Sequence, residues 1–231
     1  MTEYGRYCPI ALSSEVLADR WTPLVMRELI LGNTRFNEIA RCLPGISRSL
    51  LTQRLRHLER RGVLERWASP TGRTTEYHLT RAGKDLYPVL EAMGRWAVEW
   101  LFDDVDPHDV DATTLMWWMH RRIDTAALPP TRVVVQFDHT APVRQSIWLV
   151  LDRGEPSVCM QHPGVESDVV VRLATPTLAQ VFGGAERWKD ATASGAIEVD
   201  GPPALARALP RWFLWSPFAD MARTRMAQAT L

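Results

Sequence analysis

The segment from residue 45 to residue 66 separates leucines from arginines in a pattern typical of an amphipathic helix. Its sequence is GISRSLLTQRLRHLERRGVLER. Leu51, Leu55 and Leu58 follow one another at intervals of four and three residues, which places them on one helix face. The opposite face is polar and consists of Ser49, Thr52, Gln53, Arg56 and Arg60. A hydrophobic layer must therefore cover the leucines, while the arginine face stays in water.

Signals on either side of this helix predict its neighbours. Ser47 is a suitable N-cap and Gly62 a suitable end. Apolar stripes and caps predict three earlier helices, from Pro9 to Trp21, from the cap Thr22 with Pro23 in the first position to Gly32, and from Arg35 to Leu43. After Gly62, two strands are predicted around a turn at 69–73, namely Val63 to Ala68 and Thr74 to Leu79.

Charge is unevenly distributed along a chain whose net charge is zero. Residues 1–101 carry 15 basic and 11 acidic side chains, a balance of +4, whereas residues 102–231 carry 12 and 16, a balance of −4. Within 41–73, eight arginines stand against two glutamates, a local excess of +6. Such a concentration of positive charge favours a polyanionic partner.

Two helices joined by the tight turn Pro44-Gly45 and followed by a hairpin form a winged helix-turn-helix. We expect the polar helix face to contact phosphates and guanine edges in the major groove, with Arg73 on the wing reaching the backbone or the minor groove. The alternative is a solvated face whose arginines serve only solubility. The predicted DNA-binding residues are Ser47, Arg48, Ser49, Thr52, Gln53, Arg56, Arg60 and Arg73.

Thr80 is predicted to cap a long helix that runs to about Leu101 and is bent by Pro88. Its wide apolar stripe needs a partner surface. A second subunit is one interpretation, because two-fold proteins place paired recognition helices about one DNA turn apart. Packing against the second half of the same chain is the other. The predicted dimerisation residues are Leu86, Leu90, Met93, Trp96 and Trp100.

Three separated segments together resemble the HxlR family of bacterial winged-helix regulators, over roughly residues 7–101. They are YCPIALSSEVLADRWTPLVMREL, RFNEIARCLPGISRSLLTQRLRHLERRGVLER and TEYHLTRAG. The resemblance implies a homodimer that binds palindromic operator DNA and regulates transcription. It assigns the recognition-helix positions to Ser47, Arg48, Ser49, Thr52, Gln53 and Arg56.

The cysteines give two interpretations of the N-terminal region. Some members of the HxlR family sense electrophiles or oxidants through a cysteine placed like Cys8, just before the first helix, where the reactive thiolate is stabilised. A cysteine at such a position is also commonly a small hydrophobic residue. Cys42 and Cys159 are interpreted as core residues, and three widely spaced cysteines predict no disulfide framework.

The second half is predicted to be a separate α+β domain, 105–231, after a winged-helix domain, 1–104. An acidic linker at 103–111 separates the two, and Asp111 is a good helix cap. The predicted helices are Ala112 to Thr125, Thr175 to Phe182, Ala185 to Ala193 and Pro203 to Trp212. The predicted strands are Arg132 to Phe137, Ser146 to Leu151, Ser157 to Gln161, Asp168 to Ala174 and Ala196 to Val199.

Residues 168–213, DVVVRLATPTLAQVFGGAERWKDATASGAIEVDGPPALARALPRWF, resemble the sterol carrier protein 2 family. The resemblance implies a mostly antiparallel sheet with helices that enclose an apolar tunnel for a lipid-like effector. Plain core packing is the alternative for these aromatic and thioether side chains. The same resemblance leaves a second function possible, that of a hydrophobe carrier with a degenerate DNA-binding module. The candidate ligand-binding residues are Met116, Trp117, Met119, Trp148, Trp188 and Trp212.

Other function classes find little support in the sequence. No apolar run approaches the roughly 20 residues of a membrane span, and no export signal is recognisable, so a cytoplasmic location without a membrane partner is expected. The six histidines show no metal-ligand spacing, and neither a phosphate-binding glycine loop nor a nucleophile motif occurs. We expect no metal, no cofactor and no enzymatic activity.

Overall fold

A computed structural model of the chain describes residues 7–68, 74–102 and 106–229. It separates into two units, Met1–Met93 and Gly94–Leu231. The division falls inside a helix, Tyr87–Leu101, upstream of the domain boundary expected at residue 104. Both units contain helices and a sheet, as an α+β fold requires.

The first unit has the helix-turn-helix and hairpin order that the sequence predicts. Ser47 caps the fourth helix, since its Oγ accepts a hydrogen bond from the Leu50 backbone N–H at 3.2 Å. Gly62 follows the C-cap of that helix and ends it with φ of +69°, a left-handed conformation that favours glycine. The elements are α1 Pro9–Leu17, α2 Thr22–Ile30, α3 Phe36–Arg41, α4 Arg48–Arg60, β1 Leu64–Ala68, β2 Thr75–Leu79, α5 Arg81–Lys84 and α6 Tyr87–Leu101.

The leucine stripe of α4 lies in the core of the first unit, as predicted. Leu51, Leu55 and Leu58 are at most 1% exposed. They pack with side chains from the preceding helices and the start of the hairpin, namely Val25, Met26, Leu29, Ile39, Leu43, Val63 and Leu64. The core thereby fixes which face of α4 remains in solvent.

The predicted bounds of the first three helices are wrong. The first helix ends at Leu17 rather than Trp21, where the Asp19 carboxylate accepts a hydrogen bond from the Trp21 N–H at 3.1 Å in a turn. Thr22 is therefore the first residue of α2, not its cap, and its side chain is fully buried. The third helix is also shorter than predicted, because Arg35 occupies its N-cap.

The long helix predicted from Thr80 to Leu101 is two helices. Thr80 caps α5, accepting a hydrogen bond from the Gly83 N–H at 3.2 Å, but α5 ends after Lys84. Pro88 then lies in the first turn of α6, where its missing N–H is not needed. Proline therefore belongs to the start of a new helix instead of bending a continuous one.

The second unit is a five-stranded sheet covered by helices. The strand order is β5-β4-β3-β6-β7, in which only the β3–β6 pair is parallel among the described residues. The sheet is therefore mostly antiparallel, as predicted. Its elements are α7 Ala112–His120, β3 Val133–His139, β4 Gln145–Leu151, β5 Ser157–Cys159, β6 Val169–Leu173, α8 Thr175–Gly183, α9 Trp188–Ala193, β7 Ile197–Asp200, α10 Pro203–Ala208 and α11 Ala219–Ala229.

Several predictions for the second unit differ from the structure. The helix predicted from Ala185 begins at Trp188, and the strand predicted to reach Gln161 ends at Cys159. The helix capped by Asp111 ends at His120 rather than Thr125, because Ile123 pairs with Phe213 in an isolated β-bridge. The last predicted helix ends at Ala208 and continues as a 3-10 turn over Leu209–Trp212. Helix α11 was not predicted.

His139 gives the second unit a predicted pH dependence. The side chain is 2% exposed, its Nδ1 lies 2.9 Å from Thr175 Oγ1, and burial lowers the pKa of His139 from 6.5 to about 4, with Asp138 opposing the shift. As the pH falls from about 6.5 to about 4, His139 therefore becomes protonated in the unfolded chain but stays neutral in the folded chain. We expect the free energy of unfolding to decrease by about 2 kcal/mol between about pH 7.5 and pH 5.

Urea titrations of the wild type and of His139→Gln across this pH range test the expectation. The variant should lose most of the decrease. An equally steep decrease in both proteins would contradict a neutral buried His139.

Candidate nucleic-acid interface

Helix α4 presents one polar face to solvent, and most predicted DNA-binding residues lie on it or at its start. Thr52 is half-buried, and its hydroxyl donates to the Arg48 carbonyl oxygen at 2.8 Å. Arg73 falls outside the described residues. The exposed predicted residues, which we call the α4 polar face, are Ser47, Arg48, Ser49, Gln53, Arg56 and Arg60.

Several arginines near α4 are neutralised by carboxylates. Arg54 lies 2.6 Å from Asp19 and Arg61 lies 2.8 Å from Glu15, both on or just after α1. Arg66 on β1 lies 2.7 Å from Glu59. The acidic partners on and after α1 lie outside 41–73, so the local excess of +6 overstates the charge that the surface carries.

Arg56 and Arg60 are the cations that the fold leaves available. Neither forms an ion pair with any residue in 7–68, 74–102 or 106–229. His57 adds no charge beside them at neutral pH, since burial and the neighbouring Arg61 lower the pKa of His57. The positive potential of the α4 polar face therefore comes from guanidinium groups that water, or an anion, can reach.

Arg48, at the start of the α4 polar face, has neighbours that the sequence did not indicate. Its Nη2 donates to Asn37 Oδ1 at 3.2 Å, and its Cζ lies 4.8 Å from the centroid of the Phe36 ring. Both partners belong to α3. No spacing rule within α4 could have found them, because the contact depends on how α3 and α4 cross.

The wing is an antiparallel hairpin of β1 and β2. Trp67 is 53% exposed and stacks on His78, with ring centroids 4.3 Å apart. Glu76 on the same hairpin pairs with Arg35 at 3.3 Å, which ties the wing to the residue before α3. This aromatic pair was not predicted from the sequence. An exposed tryptophan in a strand is its only local signal.

The predicted dimerisation residues divide into two groups. Leu86 and Leu90 pack against the core of the first unit. Met93, Trp96 and Trp100 are 48%, 57% and 67% exposed. The apolar stripe therefore packs on the core of the first unit at Leu86 and Leu90 and is exposed from Met93 onward.

Another side of α6 packs within the second unit. A Cβ added at Gly94 would collide with the ring of Phe218, so the ring lies directly on the helix backbone. Val98, one turn further, is 7% exposed. Packing of this helix against the second half of the chain thus occurs on one side, while the tryptophans of the other side stay accessible.

The candidate ligand-binding residues do not form one group. Met116, Met119 and Trp212 are at most 2% exposed and belong to the hydrophobic core of the second unit. Trp148 lies on the opposite face of the sheet, since Ile147 and Leu149 take the core face and Trp148 contacts His162 instead. The two remaining candidates, Trp117 and Trp188, are half-buried.

The three cysteines lie in different environments. Cys8 is exposed immediately before α1, Cys42 is buried and Cys159 is half-buried. No group of three or more His, Cys, Asp or Glu side chains in the described part of the chain could hold a metal ion. Within the same part, no helix is both long enough and apolar enough to cross a membrane.

Comparison with known proteins places the chain from the end of α1 through α6 in one family. The family model HxlR-like helix-turn-helix matches residues 16–104. The chain is 40% identical over 98 residues to the uncharacterized HTH-type transcriptional regulator YvaP of Bacillus subtilis (strain 168), covering 42% of this chain and 87% of YvaP. It is 40% identical over 100 residues to the HTH-type transcriptional regulator sll1512 of Synechocystis, covering 43% of this chain and 74% of the relative.

A further relative, the HTH-type transcriptional regulator YdeP of Bacillus subtilis, is 36% identical over 90 residues, which are 38% of this chain and 70% of YdeP. The family match stops at residue 104, so residues 105–231 extend beyond it. On the strength of the fold, the α4 polar face and these relatives, the chain belongs to the HxlR-like helix-turn-helix family.

Proposed function

We propose that this protein is a DNA-binding transcriptional regulator that places the α4 polar face in the major groove. The observation that carries the proposal is the sorting of arginines around α4. Arg54, Arg61 and Arg66 pair with carboxylates. Arg48, Arg56 and Arg60 lie on the exposed face without such a pair among the described residues. Guanidinium groups suit both phosphates and guanine edges, and Gln53 between them suits adenine. Ser47, Ser49 and Thr52 would complete the contacts, with Arg73 of the wing on the backbone or in the minor groove.

The regulator is proposed to act as a homodimer on palindromic DNA. Met93, Trp96 and Trp100 form an exposed apolar stripe on α6. A second copy of α6 would cover it and place the two α4 helices about one DNA turn apart.

The double variant Trp96→Glu, Trp100→Glu should be monomeric, because apposed carboxylates at a two-fold axis repel each other. Sedimentation equilibrium measures the change. Trp67→Glu, which alters an equally exposed tryptophan on the wing, is the matched control and should sediment as the wild type does. A dimer that persists in the double variant would contradict the proposed interface.

The second unit is proposed to be a sterol carrier protein 2-like domain that binds a hydrophobic effector. Its mixed sheet has helices packed on a core rich in aromatic and thioether side chains, which favours an apolar ligand. Met116, Trp117, Met119, Trp188 and Trp212 are the proposed contacts from the helical side. Trp148 would act only from the other sheet face.

Quenching of tryptophan fluorescence by fatty acyl ligands, with and without bound DNA, tests the effector. A regulator requires that ligand and DNA change each other's affinity by the same factor. Ligand binding without any such coupling would favour a hydrophobe carrier instead. Cys8, exposed before α1, is the proposed site of any thiol-based response, which Cys8→Ser should abolish.

A further inference from the structure

Arg48 occupies a position at which a cation weakens the helix. It is the first residue of α4, and the N-terminus of a helix carries a partial positive charge. The charge of Arg48 therefore does not stabilise the helix. Its side chain nevertheless has an ordered environment, unlike Arg56 and Arg60 further along the α4 polar face.

Two side chains of α3 determine where the Arg48 guanidinium lies. The Phe36 ring provides a flat surface under it, at 4.8 Å from ring centroid to Cζ. Asn37 accepts one N–H from Nη2 at 3.2 Å. Phe36 itself is half-buried and packs against the core of the first unit, so this surface is rigid.

Asn37 engages a single donor of the planar Arg48 fork. Within the described residues, Arg48 forms no other hydrogen bond and no ion pair, and it is exposed, so its remaining N–H groups are available to a ligand. Such a fork, held in one plane, matches the O6 and N7 acceptors of guanine. Holding it before binding removes part of the entropy that a long side chain loses on contact.

We propose that Phe36 and Asn37 are positioning residues that set the base preference of Arg48 for guanine, an inference that rests on the proposed function of α4. Neither side chain needs to touch DNA. Asn37 is the sharper test, because it is exposed and its replacement leaves the core intact. Arg56 provides the control, as an exposed arginine of the same face without an ion pair in the described parts of the chain.

The experiment uses the full chain and duplexes selected by the wild type from a randomised pool. Affinities are measured for the selected duplex and for each single-base-pair change in it. The variants are Asn37→Ala, Arg48→Ala, Arg56→Ala and the two double variants that combine Asn37→Ala with each arginine change. Phe36→Leu and Arg48→Lys are added, since the first removes the ring and the second keeps the charge without the fork.

We expect Asn37→Ala to weaken binding to the selected duplex by about three- to tenfold. Asn37→Ala should lose affinity only for duplexes that carry guanine at one particular base pair. Arg48→Ala and Arg48→Lys should remove the preference for guanine at that same base pair. Asn37→Ala should cause no further loss in the Arg48→Ala background but its full loss in the Arg56→Ala background. The salt dependence of binding should not change in Asn37→Ala, because no charge is removed.

A uniform loss across all base changes, or equal losses in both arginine backgrounds, would overturn the positioning role. An unchanged base preference in both single variants, Phe36→Leu and Asn37→Ala, would also overturn it. If the wild type itself bound no duplex, the proposed function would fall, and that outcome is distinguishable because it appears before any variant is compared.

Discussion

The double variant Arg56→Ala, Arg60→Ala should bind duplex DNA about 100-fold more weakly than the wild-type protein, since each lost contact costs about tenfold. Both side chains are exposed on α4, and neither has an ion pair within the described parts of the chain. No carboxylate in the described ranges neutralises them, so their charge is available to phosphates. The slope of log affinity against log salt concentration should decrease by about 2 per subunit.

A matched control separates placement from total charge. Arg61→Ala with Arg66→Ala also removes two positive charges, but these arginines are engaged by Glu15 and Glu59. We expect a loss of less than about fivefold in this control. Fluorescence anisotropy of a labelled duplex measures both variants at several salt concentrations. Equal losses would show that net charge alone governs binding and would contradict the assignment of the α4 polar face.

Leu55→Ala should lower the free energy of unfolding of the first unit by about 2 to 5 kcal/mol. Leu55 is 1% exposed and lies between Leu51 and Leu58 in the core beneath α4. Its truncation leaves a cavity at the centre of the hydrophobic layer that holds the recognition helix. A domain of this size has only about 5 to 15 kcal/mol in total, so DNA binding should also weaken on warming.

Leu115→Ala is the control for Leu55→Ala. Leu115 is also 1% exposed, but it belongs to the core of the second unit. Urea unfolding followed by circular dichroism gives the stability of each variant, and anisotropy gives its DNA affinity. Leu115→Ala should destabilise the chain while leaving DNA affinity at low temperature unchanged. A Leu55→Ala protein as stable as the wild type would contradict the proposed packing of α4.

Local features of the first unit could be predicted because their causes lie within a few residues. The leucine spacing of α4, the Ser47 cap and the end at Gly62 each depend on neighbours in sequence, and the structure confirms all three. The break between α5 and α6 was missed. Proline is compatible both with a bent helix and with a first turn, and only tertiary packing decides between them.

Contacts between distant residues could not be predicted from one sequence. Arg54 and Arg61 are neutralised by side chains from the first helix region, more than 30 residues away. Arg48 contacts side chains of α3, and His139 at the end of β3 contacts Thr175 at the start of α8. Composition counts such charges and rings but does not show which of them meet.

The second half shows the same division between local and distant causes. Its strands were predicted because β-branched runs mark them, and the cap Asp111 was confirmed by its hydrogen bond to the Thr114 N–H. The position of Trp148 depends on the alternation of β4 relative to the core. Composition alone therefore groups Trp148 incorrectly with Met116 and Met119, which lie in the core on the other face of the sheet.

The most direct test of the account is the salt dependence of duplex binding by the wild-type protein. Anisotropy titrations with a duplex from upstream of its own gene, and with its separated single strand, would be carried out from about 50 to 200 mM salt. We predict tighter binding to the duplex and a slope of at least about −2 per subunit, from Arg56 and Arg60. Failure to bind any duplex at the lowest salt, or binding that is indifferent to salt, would contradict the claim that the α4 polar face grips DNA.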